Sequence, residues 1–164
     1  MTYHSELCDA MIWLSDQPNT LFLGQAVAYP GTAMSTTLGG VPKDKLLELP
    51  VMEEAQLGMC IGLSLAGFVP ISIFTRWNFL LPAANQLVRH LDKLAVYSRY
   101  RPKVIIRTGI GSSHPMNPGP QHLGDFTLPF YAMCKNIEFV RLNAPEMIVP
   151  AYQRAFERND GKST

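Results

Sequence analysis

The chain has 164 residues, enough for one domain with a substantial core. An apolar fraction of 47% excludes a disordered chain, and a formal net charge of +1 with no basic run gives no electrostatic reason to bind nucleic acid. Cys8, Cys60 and Cys134 are odd in number and far apart, which argues against a zinc knuckle or a disulfide framework and fits reduced thiols in a cytoplasmic protein.

The N-terminus has no basic segment followed by an apolar core, so it does not read as a secretory signal. Leu7, Met11 and Leu14 stand at helical spacing and predict a helix over 3–14, stopped at Asp16-Gln17-Pro18-Asn19. Residues 20–28, TLFLGQAVA, read as a buried strand. A loop rich in Gly and Pro follows over 29–50, a length that is usually functional or in contact with a partner. Residues 53–67 predict a helix with Ala55, Gly58, Gly62 and Ala66 along one side, where another backbone can approach closely. The apolar run 59–73 is too short, and too broken by Gly62, Gly67 and Pro70, to span a bilayer. Residues 69–74 read as a second buried strand, 78–97 as the longest helix and 103–108 as a third strand. A second long loop covers 109–125. A helix over 126–134, a fourth strand over 137–142 and a final helix over 145–157 complete the pattern, with 158–164 as a polar, frayed tail.

Strands alternating with helices predict an α/β fold of three layers: a mostly parallel sheet with helices on both faces. Ligands of such sheets gather where loops leave the carboxyl ends of strands, which selects the loops after residues 28, 74, 108 and 142. Glu53 heads the apolar helix 53–67, and a carboxylate buried there needs a basic or hydrogen-bonding partner. The competing reading is that Glu53, like its neighbour Glu54, only complements the helix N-terminus, which is worth roughly 0.3–1 kcal/mol. Phe74, Trp77 and Phe79 form an aromatic cluster that is either core or a ring-binding face. His122, in GPQHLGDF, is the histidine placed best for proton exchange or for holding a carboxylate, with His114 a weaker candidate. No metal-ligand set, Walker loop or Gly-x-Gly-x-x-Gly turn is present.

The spacing of Pro50, Glu53, Gly58, Gly62, Ala66-Gly67, Pro70, Phe74 and Phe79 resembles the pyrimidine-binding domain of thiamine-diphosphate-dependent enzymes. The nearest resemblance is to β subunits of 2-oxoacid dehydrogenases, with transketolases more distant. It covers about residues 20–157. It implies that Glu53 hydrogen-bonds the cofactor's aminopyrimidine and favours the imino tautomer that takes the thiazolium C2 proton. It implies that Phe79 packs on that ring and that His122 faces the substrate side. Gln25 stands where many such subunits carry an acid, so its amide can bond near the cofactor without the charge. Pro82 also departs from the family, while Gln86 is retained one turn later and supports the site.

The family's metal motif lies in another domain and has no counterpart here. The resemblance therefore implies a thiamine diphosphate shared with a separate diphosphate-binding subunit that holds the Mg ion. A homodimer or an alpha-2-beta-2 heterotetramer and a 2-oxoacid or ketose substrate follow, with neither nucleic acid nor membrane as partner. A non-catalytic regulatory or structural homologue that keeps the fold and dimer surface is the alternative.

Overall fold

The computed structural model describes residues 1–114 and 116–164. Helix α1 (Tyr3–Ser15) opens the chain under a reciprocal cap: Thr2 Oγ1 accepts from Ser5 N–H, and Thr2 N–H donates to Ser5 Oγ. Its far end is closed from a distance. Lys45 Nζ donates to Ser15 O at 2.7 Å and to Gln17 O, placing a cation on the helix's carbonyl terminus.

Four strands form one parallel sheet: β1 (Thr20–Gly24), β2 (Leu46–Glu48), β3 (Val69–Phe74) and β4 (Ile105–Thr108), in the order β2-β1-β3-β4. Every residue of β3 is buried, as expected of a strand covered on both faces. Pro70 is tolerated inside it for a reason visible in the register. Val69 N–H addresses β1 by donating to Asn19 O, so Pro70 faces β4, whose pairing begins only at Ile71–Ile105.

The sheet divides two apolar clusters. On one face α1 and α6 (Ile148–Glu157) pack Met11, Leu14, Ile148 and Tyr152 over Phe22 and Ile71. On the other, α2 (Glu53–Leu65) and the segment 77–97 pack Leu57, Leu80 and Leu87 against Leu23 and Phe74. Each fully buried large aliphatic contributes about 1.5–3 kcal/mol. Gln56 is buried at the second interface. Its amide donates to Ser72 Oγ (3.0 Å), Ile73 O (3.1 Å) and Leu23 O (3.4 Å), which ties the first turns of α2 to the ends of β1 and β3.

Several elements differ from expectation. The first strand stops at Gly24 because Ala26 turns into the left-handed region (φ 60°) and the amides of 26–28 bond to Glu48 instead of a ladder. The predicted loop 29–50 contains β2, which is only three residues long. The expected long helix 78–97 is broken. It runs as α3 (Trp77–Leu80), a 3₁₀ turn containing Pro82, a π-helical turn over Gln86–Leu91 and α4 (Asp92–Tyr97). Pro82 cannot donate to a helical ladder, and π turns relieve such breaks.

Residues 137–142 are not a strand among the described residues; Ile137 alone makes a parallel bridge, to Ser163. The closing residues, expected to fray, are ordered by pairing: Ser163 is 2% exposed, and Thr164 bonds to β4. Among the described residues no helix is long and apolar enough to cross a membrane.

Candidate functional site

The chain runs from β1 outward to β2 and then back across to β3. The strand order therefore reverses direction between β1 and β3, and the carboxyl ends of those two strands flank the crevice where parallel sheets place ligands. Gln25 leaves β1 there, half-buried. Glu53 begins α2 on the same edge of the sheet, since β2 ends at Glu48 and the chain turns directly into the helix.

The turn after β1 is held by a carboxylate that sequence reading passed over. Glu48 Oε1 accepts from Ala26 N–H at 2.6 Å, and its Oε2 accepts from Val27 and Ala28 N–H at 2.8 Å each. Three consecutive amides thus converge on one side chain, which compensates the left-handed Ala26 and fixes the backbone carrying Gln25. Nothing in the string LLELP signals this, because the partners lie about twenty residues away.

The two glutamates at the head of α2 have different fates. Glu54 accepts from Asn85 Nδ2 at 2.7 Å and from Gln86 Nε2 at 3.4 Å, so it belongs to a clasp between α2 and the π-helical turn. Glu53 is half-buried and makes no side-chain hydrogen bond or ion pair among the described residues. Gln86 is spent largely on this clasp, and its side chain lies within 3.7 Å of where a Cβ on Gly58 would stand.

The aromatic cluster separates into two roles. Phe74 (2% exposed) and Trp77 (5%) are core, and Trp77 stacks on Phe130 at 5.3 Å. Phe79 is half-buried and stacks on His122, with ring centroids 5.5 Å apart and planes inclined by 23°. The structure therefore brings together two residues that the sequence singled out, Phe79 for ring contact and His122 for the substrate side. His122 is carried on a short 3₁₀ turn (Pro120–His122) and is positioned by close backbone crossing: a Cβ on Gly111 would collide with the His122 carbonyl. His122 Nδ1, Asn78 Oδ1 and Thr108 Oγ1 are buried polar atoms without a partner in the structure. Orphaned buried polar atoms are rare unless a ligand or water completes them.

His114 is exposed, its ring bonded to Ser113, and takes no part in this grouping. Among the described residues no group of three or more His, Cys, Asp or Glu side chains could hold a metal ion. A cavity of about 560 Å³ lies beside β4, and Glu53, Phe79 and His122 are not among the residues lining it.

The family model described as the transketolase pyrimidine binding domain matches residues 9–164. The β subunit of 3-methyl-2-oxobutanoate dehydrogenase from Mycobacterium tuberculosis is 33% identical over 96 residues, 57% of this chain and 27% of that protein. The mitochondrial pyruvate dehydrogenase E1 component subunit beta of Chaetomium thermophilum is 28% identical over 83 residues, 49% of this chain and 22% of that protein. These matches span about a quarter of the relatives' length. A solved structure described as a split gene transketolase, an inactive beta4 tetramer, superposes with a TM-score of 0.74 at 15% identity, covering 98% of this chain and 49% of the other. That likeness is one of fold.

Proposed function

Because the chain belongs to the transketolase pyrimidine-binding domain family, we propose that it is the pyrimidine-binding subunit of a split thiamine-diphosphate-dependent enzyme of the 2-oxoacid dehydrogenase or transketolase kind. The observation that carries this reading is the contrast at the head of α2: Glu54 is tied to Asn85 and Gln86, while Glu53 keeps a half-buried carboxyl with nothing bonded to it.

The residues present fit a planar, polar heterocycle. Phe79 supplies an aromatic face, His122 presents a buried ring nitrogen without a partner, and Glu53 supplies a carboxyl group that can share a proton with a ring nitrogen. Thiamine diphosphate, when bound, supplies the electron sink for cleaving a carbon–carbon bond next to a carbonyl. The protein's part is geometry and proton placement. Gln56 and the Glu54 clasp hold the first turns of α2, so Glu53 cannot drift as it exchanges its proton. His122 holds a substrate carboxylate or passes a proton at its orphaned nitrogen. Gln25, on the turn fixed by Glu48, offers an amide beside the ring, Gln86 steadies Glu54, and Phe74 backs the aromatic face from the core.

The diphosphate and its Mg ion are assigned to a separate subunit, in a homodimer-based or alpha-2-beta-2 assembly acting on a 2-oxoacid or a ketose. The outer side of α2 suits a protein contact: Ala55, Met59, Gly62 and Ala66 are all exposed, and nothing lies within 4 Å of a Cβ placed on Gly62. The curated relatives are themselves described as β subunits.

Co-expression with a subunit bearing Gly-Asp-Gly and a downstream Asn tests the proposal. Thiamine-dependent turnover of a 2-oxoacid or ketose is expected, and Glu53→Gln should abolish it while the complex still assembles. Turnover unchanged by Glu53→Gln would end the catalytic assignment.

A further inference from the structure

From Ala55 to Gly124 the chain carries seven Lys or Arg residues and a single acid, Asp92. That acid is not a surface group. It is fully buried, its Oδ1 accepts from Lys135 and Asn136 N–H at 2.7 and 2.6 Å, and its Oδ2 accepts from Lys93 Nζ at 2.6 Å. The surface built by this span therefore presents cations and no carboxylate.

Part of that charge gathers along one groove. A concavity of about 440 Å³ on the far half of the broken helix is lined by Val88, Arg89, His90, Lys93, Leu94 and Tyr97. Arg89 and His90 come from the π-helical turn, a geometry frequent at functional sites, and Lys93 and Tyr97 from α4. Arg89 and His90 are exposed, and neither side chain makes a hydrogen bond or an ion pair among the described residues. Lys93 gives one ammonium proton to Asp92 and keeps two for another acceptor. Exposed Lys135 is set beside this group, since its own amide is bonded to the carboxylate that holds Lys93.

Two features distinguish the groove from a solvated helix face. Arg89 and Lys93 are like charges four residues apart, a spacing at which a free helix gains from opposite charges and loses from equal ones. Bulky apolar groups also stand out into water beside the cations: Tyr97 is 78% exposed and Val96 66%. Arg and Tyr are the side chains that most often anchor protein interfaces, and here they flank an aliphatic floor of Val88 and Leu94. An occupant must then bring carboxylates and apolar side chains together. A polypeptide does so, whereas a nucleic acid backbone brings phosphates alone.

We propose that this groove docks an acidic segment of a partner polypeptide, with carboxylates against Arg89, His90 and Lys93 and an aliphatic side chain against Leu94 and Tyr97. The charge complementarity speeds encounter and sets the register, and the apolar contact holds the segment once docked.

The test titrates the 164-residue chain into fluorescein-labelled Glu-Glu-Leu-Glu-Glu-Leu-Glu-Glu and follows anisotropy. The same peptide with every Glu replaced by Gln, a uridine octanucleotide and vesicles of phosphatidylserine and phosphatidylcholine are the comparison arms. Saturable binding of the acidic peptide is expected, weakened several-fold between about 50 and 300 mM NaCl as screening shortens the reach of the charges. Arg89→Glu and Tyr97→Ala, both at exposed positions, should each weaken it by about fivefold or more at an unchanged thermal midpoint. Absence of binding at about 1 mM chain, a Gln peptide bound equally well, or indifference to both substitutions would overturn the site. Tighter binding of the octanucleotide or the vesicles than of the acidic peptide would overturn the assignment of its occupant.

Discussion

His122 lies face to face with Phe79, 5.5 Å between ring centroids, although Phe79 stands on α3 and His122 on the 3₁₀ turn Pro120–His122, more than forty residues later. Such a pair contributes about 0.5–1.5 kcal/mol beyond area burial. Phe79→Leu keeps the bulk and removes the π face. It should cost roughly 1 kcal/mol in urea denaturation and shift the His122 ring protons downfield as the ring current is lost. Unmoved His122 resonances would mean that the stack does not persist in solution.

Glu48 is expected to matter for stability more than its short strand suggests. Removing its carboxylate leaves the amides of Ala26, Val27 and Ala28 without their acceptor beside a left-handed alanine. Glu48→Ala should destabilise the fold by about 3 kcal/mol, with Glu48→Gln intermediate. Hydrogen exchange should accelerate first at residues 26–28.

Asp92 governs an acid-sensitive joint between α4 and the segment after α5 (Thr127–Met133). It is fully buried and accepts from Lys93 Nζ, Lys135 N–H and Asn136 N–H. Burial alone pushes this carboxyl up, but the three hydrogen bonds and the Lys93 charge together hold it below its ordinary value. A lowered folded value means that the stabilisation is complete above the unfolded value, about 3.9, and is lost as pH falls through the folded one. The stability gap between the parent chain and Asp92→Asn should be constant from about pH 5 to 8 and narrow below about pH 4. A gap that widens on acidification would contradict this account.

The three cysteines should react in a set order. Burial pushes the Cys60 thiol up to about 12 and Cys134 to about 11. Both stay protonated at pH 8, while Cys8 is partly exposed. Iodoacetamide on the native protein should label Cys8 alone, and all three after denaturation, as read by mass spectrometry. Rapid native labelling of Cys60 would show that α2 leaves the sheet more readily than its packing implies.

Helix α1, helix α2 and strand β3 were legible because their signals are local: an apolar period, small residues at helical spacing and a short buried apolar run. The break in 78–97 was visible only as Pro82, and the leucine period on either side hid it, since a π turn preserves one buried face. The three-residue β2 left no periodic trace. The supposed strand over 137–142 has the right composition, but composition does not supply an edge to pair with, and Ser163 and Thr164 occupy the entrance to that edge.

By itself the sequence determined the family, the parallel α/β plan and the short list containing Glu53, Phe79 and His122, because apolar periodicity and residue spacing are properties of the chain read in order. Tertiary structure alone decided that Glu54 is engaged and Glu53 free, that Glu48 clamps the β1 turn, and that His122 stacks on Phe79. Each of those depends on which hydrogen-bonding groups find partners, and partners are chosen by distance in space between residues far apart along the chain.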